Sequence, residues 1–153
     1  MTLDELFDQF ENLDEETFNQ FVNAKLNAVM PVLNELSVDM NGEKIYGKTL
    51  LAYILTATIV TDYKLNDYEV NFLANILRRY VSPDYDYAAA KALILSSAKD
   101  IEGAKTLADF IVDTFGEADE QFKMDLVALC MAVAAVDGQI TQSERDFLAR
   151  LLA

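Results

Sequence analysis

A shift of 75 residues lays positions 62–77 over positions 137–152 without a gap, and no other feature constrains the fold of this 153-residue chain as strongly. Asp62 meets Asp137, Glu69 meets Glu144, Phe72 meets Phe147, Leu73 meets Leu148, Ala74 meets Ala149 and Leu77 meets Leu152, which makes six identities in sixteen positions. Leu65 faces Ile140 and Asn66 faces Thr141. Ahead of each copy runs a strongly apolar segment, 49–60 in the first and 124–136 in the second, apolar nearly all round and so expected as a buried helix. The pattern predicts one helix-loop-helix made twice, with repeat units at about 49–77 and 124–152, related by a pseudo-twofold axis. Each unit then buries the apolar face that the other exposes. Upstream of the loops the copies share apolar character alone, as in Leu51 with Leu126 and Ala57 with Ala132.

Helical periodicity governs the rest of the chain, interrupted by only two prolines and five glycines. A first helix is expected at 3–10, with Thr2 and Glu5 spaced as a capping box. A second starts after Asp14 and places Phe18, Phe21, Val22, Leu26 and Val29 on one stripe, and Pro31 is expected to kink or restart it before Leu36. Residues 37–47, SVDMNGEKIYG, carry an Asn-Gly turn signal and read as a loop or a short hairpin. Ser82 followed by Pro83 marks a helix start leading into 85–95, and a further helix fits 100–115, closed by Gly116. No linker or low-complexity segment divides the chain, and its 52% apolar content suffices for one core. The expected fold is therefore an all-α, single-domain bundle of about seven helices.

Composition narrows the chemistry. With 26 acidic against 12 basic residues the formal net charge is −14, which repels a nucleic-acid backbone and favours divalent cations or the basic face of a protein partner. Residues 1–20 hold seven of the acidic side chains and no Lys or Arg, and read as solvated helix faces. The chain has no histidine, which removes the commonest general base and transition-metal ligand. Its single cysteine, Cys130, lies in an apolar run and reads as packing material, as do the scattered methionines. The longest uncharged apolar runs, 50–60 and 126–136, are short of a membrane span, and with no signal-peptide pattern the expected location is the cytoplasm. Tyr80, Tyr85 and Tyr87 read as anchors of the Ser-Pro turn, and Arg78 and Arg79 as cations suited to a helix C-terminus.

The segment AVAAVDGQITQSERDFLARLL at 132–152 resembles the signature of the TerB-like family of tellurite-resistance-associated proteins: an apolar helix, Asp-Gly, an aliphatic residue two further on, a Glu four after that, and a Leu-rich helix. Asp137, Gly138, Ile140 and Glu144 match it position by position. Residues 57–77 read as a second copy with Asp62, Leu65 and Glu69, where Tyr63 replaces the glycine. The resemblance covers roughly 40 residues. It implies an all-helical bundle, a part in bacterial stress-response or envelope-linked complexes, and an acidic site for a divalent metal.

The second loop is not an EF-hand, because with Gly138 at the sixth position the first and third ligand positions fall on Val133 and Ala135, which offer no side-chain oxygen. A cation site needs both copies. Asp62, Glu69, Asp137 and Glu144 are the candidate ligands, and hard carboxylate oxygens suit Mg²⁺ or Ca²⁺. The competing account is structural: Thr141 to Glu144 is spaced as a capping box, Asn66 to Glu69 resembles one, and Asp137-Gly138 is an ordinary helix stop. The aspartates fit that account less well, since a carboxylate near a helix C-terminus costs roughly 0.3 to 1 kcal/mol. The expected function is a non-catalytic interaction or scaffold module with a protein partner. The alternatives are a metal-dependent hydrolase using the same carboxylates and a helical domain with no ligand.

Overall fold

In a computed structural model, the structure describes residues 2–11, 13–40, 42–60, 67–97, 101–136 and 140–153, without the side chains of residues 11, 40, 97 and 101–104. The protein is an all-α bundle. Among the described residues are eight helices and one hairpin: α1 Leu3–Glu11, α2 Glu15–Asn34, β1 Ser37–Met40, β2 Glu43–Tyr46, α3 Gly47–Val60, α4 Asp67–Tyr80, α5 Tyr87–Ser97, α6 Ile101–Phe115, α7 Glu120–Ala135 and α8 Gln142–Leu152. No helix among the described residues is long and apolar enough to cross a membrane.

The two apolar helices form the centre. α3 and α7 pack on each other, and their residues are buried on nearly every side. α4 packs on its own partner α3 and also on α7, while α8 packs on α7 and also on α3. This exchange is what a pseudo-twofold relation between the units requires. The helix boundaries obey the same 75-residue shift, since Val60 and Ala135 end the first helices and Asp67 and Gln142 begin the second ones. Around this centre, α2 lies across both α7 and α3, α1 rests on α7 and α8, α5 on α4 and α3, and α6 on α3 and α8. One hydrophobic cluster draws side chains from all eight helices.

Local signals explain most boundaries. The Thr2 hydroxyl accepts from Glu5 N at 3.2 Å, and Asp14 caps α2 by accepting from Thr17 N at 2.7 Å, a bond that holds the Asp14 carboxyl below its usual pKa. α1 buries Leu6 and Phe10 and exposes Asp4, Glu5 and Asp8, so its charges form the solvated face expected. In α2 the fully buried stripe is Val22, Leu26, Val29, Met30 and Leu33. Phe18 and Phe21 sit at its half-buried edge, with their rings against Phe10.

Four expectations are corrected or sharpened. α2 does not restart at Pro31 but runs through it to Asn34. Pro31 and Asn27 both lie on the exposed face, so the Asn27 carbonyl that loses its donor meets water. Residues 37–46 form the hairpin rather than the loop, paired from Ser37–Tyr46 to Met40–Glu43, with Gly42 at φ +82° in the turn. Ser82 does not cap α5. It is spent on the turn that finishes α4, donating to Leu77 O at 2.9 Å and accepting from Asp84 N at 3.3 Å, and the Asp86 carboxylate accepts from Ala89 N at 2.8 Å instead. Gly116 does follow α6, but without the positive φ of a left-handed cap. The three tyrosines pack against the core around the Ser-Pro turn, as expected.

Candidate functional site

Each repeat unit presents its loop between a buried helix and an amphipathic one, and the amphipathic helices carry the glutamates at their third position. Glu144 is 1% exposed and Glu69 is 4% exposed, so both carboxylates are buried in the first turn of a helix. The helix dipole favours negative charge there. At α8 the cap is complete: the Thr141 hydroxyl accepts from Glu144 N at 3.2 Å, while Glu144 Oε1 accepts from Thr141 N at 2.9 Å and from the Thr141 hydroxyl at 3.0 Å. The capping-box reading of Glu144 is therefore correct, and one of its oxygens is committed to fixing the exit of the loop.

The other parts of the sequence-derived site are distributed differently. Asp62, with Tyr63, Lys64 and Asn66, and Asp137, with Gly138, lie outside the described residues. Among the described residues, no three acidic or sulfur side chains assemble as a metal-ligand group. The helices bearing Glu69 and Glu144 sit in different surroundings, α4 against α3, α5 and α7, and α8 against α7, α6, α3 and α1.

The two units also differ just past the loops. The first residue of α4 is Asp67, which accepts a short hydrogen bond from the Tyr87 hydroxyl of α5 and thereby raises the phenol above its usual pKa. The equivalent residue of α8 is Gln142, which donates to Asp146 at 2.8 Å within its own helix. The start of α4 is thus tied to α5, and the start of α8 to its own helix.

Sequence reasoning missed Lys123 in the first turn of α7. Its side chain is only 7% exposed, and Nζ donates to Gly116 O at 3.1 Å and to Ala153 O at 3.0 Å, joining the end of α6 to the end of α8. The available signal was a lysine in an apolar register, beside Phe122 and one turn before Leu126 and Val127. Exposed ion pairs complete the ties on α8, from Arg145 to Asp4 at 3.2 Å and from Arg150 to Asp109 at 2.7 Å. The Arg145 guanidinium also lies 4.5 Å from the Phe7 ring centre.

Between the two central helices, Cys130 of α7 meets the Thr58 hydroxyl of α3, and burial pushes its thiol pKa up to about 12. Packing, as the sequence suggested, is its role. The folded protein is expected to resist a disulfide reagent at pH 8, reacting no faster than it unfolds; rapid modification of the native chain would refute this burial. The sign of the linkage follows from the raised value. The neutral thiol contributes stability in full below an ordinary pKa near 9, and that contribution is lost as pH rises toward 12.

The fold and this geometry define a class, the all-α bundles built on a duplicated helix-loop-helix with a buried glutamate opening each second helix. Comparison with protein-family models, with curated proteins and with solved structures returned no match at the level that would carry a relationship.

Proposed function

We propose that the chain is a non-catalytic interaction module of TerB-like type, serving bacterial stress response in the cytoplasm, and that its paired acidic loops take a divalent cation, Mg²⁺ or Ca²⁺, while a protein partner binds the module. The observation that carries this reading is the equivalence of the two units: the helix ends that flank each loop obey one 75-residue shift, and a buried glutamate occupies the same position in each second helix. A duplicated loop is useful to a module that needs ligands from two sides, because one loop alone lacks the oxygens a hard cation requires. In this reading Asp62 and Asp137 supply one carboxylate from each loop, and Glu69 and Glu144 complete the acidic set from the first turns of α4 and α8. The net charge of −14 raises the local concentration of any divalent cation.

Titration calorimetry with Ca²⁺ and with Mg²⁺ on the whole chain tests the cation. Saturable binding is expected for the wild type and loss of binding for the double variant D62N/D137N, with helical circular dichroism retained. No binding at millimolar metal removes the cation from the proposal. Unfolding of the double variant assigns the aspartates to the fold instead.

A further inference from the structure

α2 and α4 both lie against α7 and α3, and they meet each other through Phe18 on Phe72, with ring centres 5.6 Å apart, and through Arg79 on Asn23. The valley between the two helices is an open groove of about 440 Å³. Its apolar floor comes from Val22 and Leu26 of α2 and from Phe72 and Ile76 of α4. Asn19, Asn23 and Asn75 form a polar rim. Positions 19, 22, 23 and 26 of α2 and 72, 75, 76 and 79 of α4 follow the same spacing, so each helix presents a stripe about two turns, or roughly 10 Å, long.

The charge at the end of this groove is unusual for so acidic a chain. Arg78 and Arg79 line it together, and none of the described lining residues is acidic. Of the four arginines, Arg145 and Arg150 pair with carboxylates of other helices. By contrast, the partners of the groove pair are neutral among the described residues: Arg79 Nη1 donates to Asn23 Oδ1 at 2.9 Å, and Arg78 donates to Asn75 Oδ1 and to Tyr85 O, the latter at 3.1 Å. The helix dipole accounts for cations in the last turn of α4, but not for their convergence on an apolar valley with amide oxygens holding them in place. Each guanidinium has five N–H donors, so most remain for a ligand. An arriving carboxylate makes charge-assisted bonds about twice as strong as those to an amide oxygen.

From this arrangement we infer that the groove between α2 and α4 is a docking site for an acidic amphipathic helix of a protein partner, whose apolar face lies on half-buried Phe72 and the exposed edges of Val22 and Ile76 and whose carboxylates engage the exposed Arg78 and Arg79. The open shape favours a peptide over a small anion, since small-molecule sites enclose most of their ligand's surface. Two parallel stripes at helical spacing, apolar at the floor and polar at the rim, are what a third, amphipathic helix with anchors at i, i+3 or i+4, and i+7 complements. The groove is described by residues of α2 and α4 alone, and the inference does not depend on metal binding at the acidic loops.

Panning a library of randomised twelve-residue peptides displayed on phage against the whole chain tests this, with R78Q/R79Q as the comparison. Both guanidiniums are exposed, so the variant is expected to fold as the wild type does. R79E, which leaves the Arg78 bond to Tyr85 intact, serves as the second variant. Enriched peptides should carry Asp or Glu beside an apolar pair spaced by three or four, bind both variants about tenfold or more weakly, and weaken as salt is added. Their amide-shift changes on the protein should centre on Asn19, Asn23, Asn75, Arg78 and Arg79. Absence of enrichment over the variant, enriched peptides without carboxylates, or equal binding to all three proteins overturns the inference. Complete displacement by millimolar inorganic phosphate also overturns it, since the site would then take a small anion.

Discussion

Gly47→Ala is expected to lower the stability of the fold by about 3 kcal/mol or more, close to the whole margin of many small domains. A Cβ at this position would lie 1.9 Å from Leu33 O, 2.3 Å from Leu33 C and 2.8 Å from Asn34 N. All three atoms are backbone, so no side-chain rotation relieves the overlap. Gly47 is the first residue of α3 and follows the hairpin directly, while Leu33 and Asn34 end α2. Relief therefore requires the end of α2 to separate from the start of the central helix, which opens the packing around Leu33 and Leu50, both fully buried. The informative comparison is Gly42→Ala. At Gly42 nothing lies within 4 Å, and the cost of its φ of +82° is about 1 to 2 kcal/mol. Urea unfolding should rank the Gly47 variant well below the Gly42 variant. A Gly47 variant within 1 kcal/mol of wild type would show that α2 and α3 are not packed as closely as the structure has them.

The sequence holds both Gly42 and Gly47 inside SVDMNGEKIYG, but only Gly42 carries a legible signal there. The Asn-Gly signal acts through the local backbone, and it is legible for that reason. Gly47 is required by a chain segment thirteen residues earlier, and no local pattern records such an approach. The same division runs through the fold. The repeat was legible because six identities at one constant shift are more than shared helix propensity gives, and the ends of α3 and α7 and the starts of α4 and α8 follow it to the residue. Thr141 and Glu144 were legible as a capping box because the reaction between them spans one turn. Ser82-Pro83 misled because a serine hydroxyl serves a turn as readily as a helix start, and the choice fell to Asp86, four residues on. Within the candidate site, the equivalence of Glu69 and Glu144 was written in the repeat but their burial was not, and the tie from Tyr87 to Asp67 and the meeting of Arg79 with Asn23 join residues 20 and 56 positions apart. Those depend on helix placement, which periodicity does not encode.

Lys123→Met is expected to cost about 2 to 4 kcal/mol, even though methionine keeps nearly all of the buried apolar stem. The lysine does two things at once. Its ammonium donates to Gly116 O, just past the end of α6, and to Ala153 O, just past the end of α8, at positions where the helix dipoles concentrate negative partial charge. Hydrogen bonds to a charged donor contribute about 1.5 to 3 kcal/mol each, and removing the donor strands two carbonyls in a site with little access to water. Were the stem alone important, methionine would cost less than about 0.5 kcal/mol, which urea unfolding separates easily. The location of the loss is a second, independent check. α8 is held at its start by the Thr141–Glu144 cap and at its end by Lys123, so the variant should show faster amide exchange at 149–153 and 116–118 while residues 142–146 keep their protection. Uniform loss along α8 would mean that the cap does not stand alone, and that the exit of the second acidic loop depends on an ammonium at the far end of the same helix.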